Sequence, residues 1–61
     1  MPMVIVHAVE GRTLEQKRGL VKDITESVVK NFNVKPEAVN IVINDRSREN
    51  FAKGGKLLVD A

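Results

Sequence analysis

Two short runs, Met3-Val4-Ile5-Val6 and Ile41-Val42-Ile43, are apolar at every position, and a single long helical pattern lies between them. Alternation of polar and apolar residues would mark a strand with one wet face. An unbroken apolar run marks a strand covered on both. One helix covers one face of a two-stranded sheet, and the chain holds no second long helix for the other. Packing alone therefore predicts that the second face meets another copy of the chain. Size points the same way. A chain of 61 residues buries only about 60% of the surface it exposes when unfolded. It has no cysteine for a disulfide and a single histidine, so a structural zinc site is not expected. Self-association is the stabiliser that remains.

The local signals give an α+β protomer. Residues 3–9 read as a strand ending at Glu10-Gly11. Thr13-Leu14-Glu15-Gln16 is a capping box: the Thr13 hydroxyl accepts from the Gln16 backbone N–H, and the Gln16 side chain reaches back. The helix it opens runs to about Phe32, with Leu14, Leu20, Val21, Ile24, Val28, Val29 and Phe32 on its apolar side. Lys17, Arg18, Lys22, Asp23, Glu26 and Lys30 form the solvated side. Asn31 or Asn33 closes it. Lys35-Pro36-Glu37-Ala38 is a connector with one helical turn started by Pro36. Residues 39–44 form the second strand, and a long helix between two strands makes a right-handed βαβ unit with the strands parallel. From Asp45 the chain reads as a polar loop interrupted by Phe51. Gly54-Gly55 marks a turn, and Lys56 to Val59 form a short strand or hairpin. One domain spans residues 1–61.

Ten basic and eight acidic side chains are interleaved for a net charge of +2, and Phe32 and Phe51 are the only aromatic residues. Without Tyr or Trp to stack on bases, nucleic-acid binding is disfavoured. No stretch approaches the ~20 apolar residues of a membrane span. Residues 3–6 are too short for a signal-peptide core, so a cytoplasmic protein is expected.

Candidate chemistry begins at Pro2. Removal of Met1 leaves a secondary amine at the start of a strand, the one unusual base in the chain. An ordinary α-amino group titrates near ~8, and desolvation or a nearby cation brings it toward neutrality. The plainer alternative is a tolerated first strand residue. Arg12 sits at the strand-to-helix junction, where it either grips a carboxylate bidentately or is a solvated loop residue beside Glu10. His7 reads as structural, since no partners for a triad are placed around it. Asp45, Glu49 and Asp60 match no calcium loop. Gly54-Gly55-Lys56 lacks the spacing of a phosphate loop and reads as a turn. Phe51, a large apolar residue in a polar loop, packs against its own core, a neighbouring subunit or a ligand.

The combination of Met1-Pro2, a strand ending in Val9-Glu10-Gly11-Arg12-Thr13, and Glu15-Gln16-Lys17 opening a helix resembles the 4-oxalocrotonate tautomerase family. Val39-Asn40-Ile41-Val42-Ile43, then Asn50-Phe51 and Gly54-Gly55, resemble that family's second half, so the likeness covers nearly the whole chain. It implies a β-α-β protomer with a terminal hairpin, sheets packed between subunits, and a homo-oligomer, most often a hexamer built as a trimer of dimers. It implies an isomerase without cofactor or metal, in which the proline amine takes a proton from a 2-hydroxydienoate or enol and returns it at another carbon. Pro2 matches that base, Arg12 the arginine that binds a substrate carboxylate, and Phe51 the aromatic wall. Val9 matches the position whose backbone N–H helps hold substrate.

One position departs from the pattern. Asn40 stands where the family's tautomerases carry a second arginine reaching in from a neighbouring subunit. A neutral amide there weakens carbonyl polarisation and puts efficient turnover of a dicarboxylate in question. Arg46, Arg48 and Lys53 are the possible replacements. The related hydrating enzymes need an acidic residue after the aromatic, where this chain has Ala52-Lys53-Gly54, so that branch is disfavoured. Two alternatives to the tautomerase reading stay open: a family enzyme with a different native substrate, and a non-catalytic oligomeric module on the same scaffold.

Overall fold

The computed structural model describes residues 1–60. Ala61, the last residue of the expected domain, lies outside them. Strand β1 is Met3–Val9, helix α1 is Leu14–Phe32, and strand β2 is Asn40–Arg46. A 3-10 turn at Pro36–Ala38 leads into β2, with Pro36 at its first position, where a missing N–H costs nothing. After β2 come a 3-10 turn at Arg48–Asn50, a two-residue strand β3 at Ala52–Lys53, its partner β4 at Lys56–Leu57, and a last 3-10 turn at Leu58–Asp60.

The helix begins as its sequence dictates. Thr13 is extended, its hydroxyl accepts from Gln16 N–H at 3.1 Å, and the Gln16 side chain accepts from Thr13 N–H at 2.9 Å. At the other end Asn33 takes the left-handed conformation (φ 54°) and its N–H donates to the Val29 carbonyl, so Asn33 is the closing residue. Asn31 instead turns its amide back to the Ser27 carbonyl, inside the last turns of the helix.

Strands β1 and β2 pair in parallel over seven residues, from Met3 beside Asn40 to Val9 beside Arg46. The second strand is thus shifted from its expected span. Val39 caps the preceding turn, while Asp45 and Arg46, expected in a loop, belong to the ladder. Two tertiary contacts override their polarity: Lys17 of α1 pairs with Asp45, and Glu10 N–H donates to the Arg46 carbonyl at 2.8 Å. The terminal hairpin forms around Gly54-Gly55, both at positive φ (62° and 80°), the conformation a two-residue turn between antiparallel strands requires. Its second strand is shorter than expected, because Leu58 and Val59 leave it for the final 3-10 turn.

Alternation sorts the sheet into two faces. Val4, Val6 and Ala8, with Ile41 and Ile43 beside them, are half-buried under α1. Met3, Ile5 and Val42 form the other face and remain 61%, 53% and 42% exposed. No described residue is fully buried. A compact monomer of this mass exposes about 4,000 Å², whereas this protomer exposes 4935 Å². Its radius of gyration is 14.8 Å, against about 10.5 Å for a compact chain of this length. The excess area is close to the ~800 Å² that each partner contributes to a standard interface.

A protomer so open draws its stability from association. Its melting temperature should rise with protein concentration, by several degrees between micromolar and hundred-micromolar samples. Ile5→Lys, which puts a charge on the bare sheet face, should abolish that rise and yield an unfolded or molten chain. Circular-dichroism melts over a dilution series check both, and a melting point independent of concentration would refute the argument.

Candidate active site

Strand direction decides where each candidate residue sits. Pro2 lies at the N-terminal end of the sheet, where its carbonyl accepts from Asn40 N–H at 3.0 Å. The Asn40 side-chain amide donates to the Ala38 carbonyl at 3.3 Å. Val9, Arg12 and Phe51 lie at the opposite end, with seven residues of strand between Pro2 and Glu10. At ~3.3 Å per residue that strand separates the two groups by roughly 20 Å. Within one protomer, therefore, Pro2 and Asn40 lie at one end of the sheet, Val9 and Arg12 lie toward the other, where Arg48 links the Phe51 hairpin to Glu10, and the two sets do not meet. Of the possible replacements for a second arginine, Arg46 is the last residue of β2 and accepts from Glu10 N–H, Arg48 N–H donates to the Glu10 carboxylate, and Lys53 follows in the hairpin.

The ladder also orients the Val9 backbone. The inter-strand bonds at its two ends, Asn40 N–H to Pro2 and Glu10 N–H to Arg46, engage even-numbered residues. Alternation along a parallel pair turns the odd-numbered groups of β1, Val9 N–H among them, toward the edge that carries no strand.

Arg12 lies on the rim of a groove of about 230 Å³ between the first turns of α1 and the sheet. Val6, Ala8, Leu20 and Ile43 make its apolar floor; Arg12, Gln16, Lys17 and Asp45 make its polar mouth. Lys17 is bonded to Asp45, and the remaining described ion pair is Arg18 with Glu15, so the Arg12 guanidinium is unpaired among the described residues. Sequence reasoning placed Lys17 on the solvated side of α1 and Asp45 in a loop, and so missed both. The signal was there: Lys17 is three residues after Leu14 and three before Leu20, on the apolar stripe itself.

Phe51 is held from behind. Leu58 N–H donates to its carbonyl at 2.9 Å, and the Arg48 guanidinium donates to the Leu58 carbonyl at 3.4 Å. The Arg48 backbone N–H donates to the Glu10 carboxylate, also at 3.4 Å. Arg48 thus ties the hairpin to the loop that carries Arg12. The Phe51 ring stays 42% exposed, a large apolar surface available to a ligand or a neighbouring subunit.

The architecture is that of solved 4-oxalocrotonate tautomerases, small isomerases built on this β-α-β unit. One of the isozymes from Methylibium petroleiphilum superposes with a TM-score of 0.88 at 41% identity, covering 97% of this chain and 92% of that one. The chain belongs to the tautomerase family: residues 2–61 match the family model described as tautomerase enzyme. A probable tautomerase from Bradyrhizobium diazoefficiens is 47% identical over 60 residues, 98% of this chain and 90% of that protein. The 2-hydroxymuconate tautomerase of Bacillus subtilis is 40% identical over 60 residues, 98% of this chain and 97% of that protein. The protein is accordingly an isomerase of the 4-oxalocrotonate tautomerase type.

If Arg48 braces the hairpin, Arg48→Ala should speed backbone amide exchange at residues 52–58 while α1 amides keep their rates. Exchange measured by NMR decides this, and unchanged hairpin protection would show the brace to be idle.

Proposed function

We propose that this chain is one tautomerase-like domain that converts a small 2-hydroxydienoate or other enol carboxylate into its keto isomer within a homo-oligomer. The observation that carries the reading is the division of the candidate residues between the two ends of a parallel sheet whose second face is bare. Two copies packed with their strands antiparallel set the Pro2 end of one beside the Arg12 end of the other. Each contact then holds one amine and one guanidinium, and a pair of copies holds two such sites. A trimer of dimers, the hexamer that the resemblance implies, would bury the remaining apolar surface.

The chemistry follows from the parts. Pro2 acts once Met1 is removed, and Met1 projects into solvent at 94% exposure, open to a peptidase. The neutral Pro2 amine takes the proton of the enol hydroxyl. The O–H bond breaks, its electron pair becomes the carbonyl π bond, and the C=C pair moves to carbon. The same nitrogen then delivers the proton to that carbon. Composition is unchanged from start to finish, so the step needs no oxidant, reductant or second reactant. Arg12 of a neighbouring copy holds a carboxylate and stabilises the dienolate charge. Val9 N–H at the strand edge supplies a second donor, Phe51 a wall, and Asn40 a neutral donor beside the base. The name of the Bacillus subtilis relative supports 2-hydroxymuconate as a first substrate to try.

Pro2→Ala should lose about 10²- to 10⁴-fold in rate, the usual contribution of a positioned acid–base group. Arg12→Ala should raise KM about 10- to 100-fold, as loss of a charge-assisted bond does. Because the reading draws the two groups from different copies, mixing the two impaired variants under exchange conditions should restore part of the activity at a substrate concentration too low for Arg12→Ala alone. Steady-state kinetics on protein whose intact mass confirms Met1 removal checks each point. No turnover above buffer with 2-hydroxymuconate or phenylenolpyruvate would sink the reading and leave a family enzyme with a different native substrate or the non-catalytic module.

A further inference from the structure

Arg12, Lys17 and Asp45 line one small groove, so two cations there compete for one carboxylate. Lys17 takes it, across 28 residues of sequence, with both side chains about one-third exposed. The acidic side chains nearest Arg12 in the chain are engaged as well: Glu10 accepts from Arg48 N–H, and Glu15 pairs with Arg18. Arg12 itself is exposed and has no ion-pair partner among the described residues. That outcome runs against intrinsic preference, because the planar fork of a guanidinium matches a carboxylate better than an ammonium does. The mounting of the two cations accounts for it. Lys17 stands on the stripe of α1 that faces the sheet, while Arg12 leaves from the loop before the helix.

We propose that Lys17 is a positioning residue for Arg12: by neutralising Asp45 it keeps the guanidinium free to bind a substrate carboxylate. This rests on the proposed role of Arg12 and adds the residue that sustains it. The groove lies under α1, on the sheet face away from the bare one, so it is not where a second copy packs. To serve a neighbour's site, Arg12 has to extend outward from the groove rim. A bare Asp45 would draw it back, since opposite charges attract more strongly at a partly buried site than in open water. Paired with Lys17, Asp45 presents little net charge and leaves Arg12 free. The pair takes no part in proton transfer, and the groove itself need hold no substrate.

The test is a cycle of variants of the assembled enzyme, read by KM and kcat for whichever of 2-hydroxymuconate and phenylenolpyruvate it turns over. Lys17→Met bares Asp45 and should raise KM about fivefold, the upper end for a partly exposed charge pair. It should leave kcat nearly unchanged, because saturating substrate displaces Asp45 from Arg12. Adding Asp45→Asn to Lys17→Met should bring KM back close to the wild-type value. A brace that merely holds α1 on β2 predicts no such rescue, since the double variant lacks the bridge as fully as the single one. A second readout needs no turnover. The Arg12 side-chain Nε–H, assigned in NMR spectra by its loss in Arg12→Lys, should exchange with water more slowly in Lys17→Met and recover in the double variant. Circular dichroism checks each fold, and Lys17→Gln stands in if Lys17→Met does not fold. A KM unmoved in the folded single variant, a KM not rescued by Asp45→Asn, or loss of the fold in both Lys17 variants overturns the proposal and leaves the tautomerase reading standing. Inertness toward both compounds sinks that reading instead, and the Arg12 exchange rates then decide whether Lys17 keeps the guanidinium free: unchanged rates overturn it.

Discussion

The parallel pairing of Met3–Val9 with Asn40–Arg46 is the constraint from which the rest follows. A parallel pair needs a crossover, and the helix that supplies it covers one sheet face alone. Parallel strands also share a direction. The residue entering β1 and the residue entering β2 lie at one end, and the residues leaving both strands lie at the other. That is why Pro2 finds Asn40 beside it, and why Val9 and Arg12 lie ~20 Å away, at the end where Arg48 ties in the hairpin after Phe51. No rearrangement of side chains reunites them within the protomer.

The same constraint leaves a bare apolar face, and the energetics of that face are large. Met3, Ile5 and Val42 stand in solvent on the sheet, and Leu14 and Phe32 project from the helix at 63% and 67% exposure. Burying a side chain of this kind contributes about 1.5–3 kcal/mol, so a handful rivals the whole stability of a small domain. The ion pairs cannot substitute: Arg18 with Glu15 is largely exposed, and such pairs contribute little. Assembly through that face would couple association to folding, and on the proposed reading the apolar surface that one helix cannot cover is the means of bringing two half-sites together.

The elements were legible in sequence because each is locally specified. The capping box fixed the start of α1, Asn33 its end, Pro36 the turn before β2, and Gly54-Gly55 the hairpin. Where reading failed, the deciding contact was long-range. Asp45 and Arg46 look like loop residues until Lys17 and the Glu10 N–H hold them in the ladder. Leu58 and Val59 look like strand residues, and Leu58 still bonds Phe51 in the hairpin register, but the chain then coils into the final 3-10 turn. The candidate site was legible as a set of residue types, but not as a geometry. A spacing along the chain names Pro2 and Arg12 without saying that a whole strand holds them apart.

A site divided between copies has a consequence for how such an enzyme is controlled. A general base needs shelter from bulk water for its proton to return to substrate, and a protomer with no buried residue among those described provides none. Shelter and carboxylate binding both arrive with the second copy. On the proposed reading, catalytic competence tracks the same equilibrium as folding, and an isolated chain would be inert as well as unstable. On that reading a dissociated protomer would not act on stray enols, since its amine and its guanidinium lie at opposite ends of the sheet. The parallel sheet that holds the residues apart would in this sense confine the proposed reaction to the assembled state.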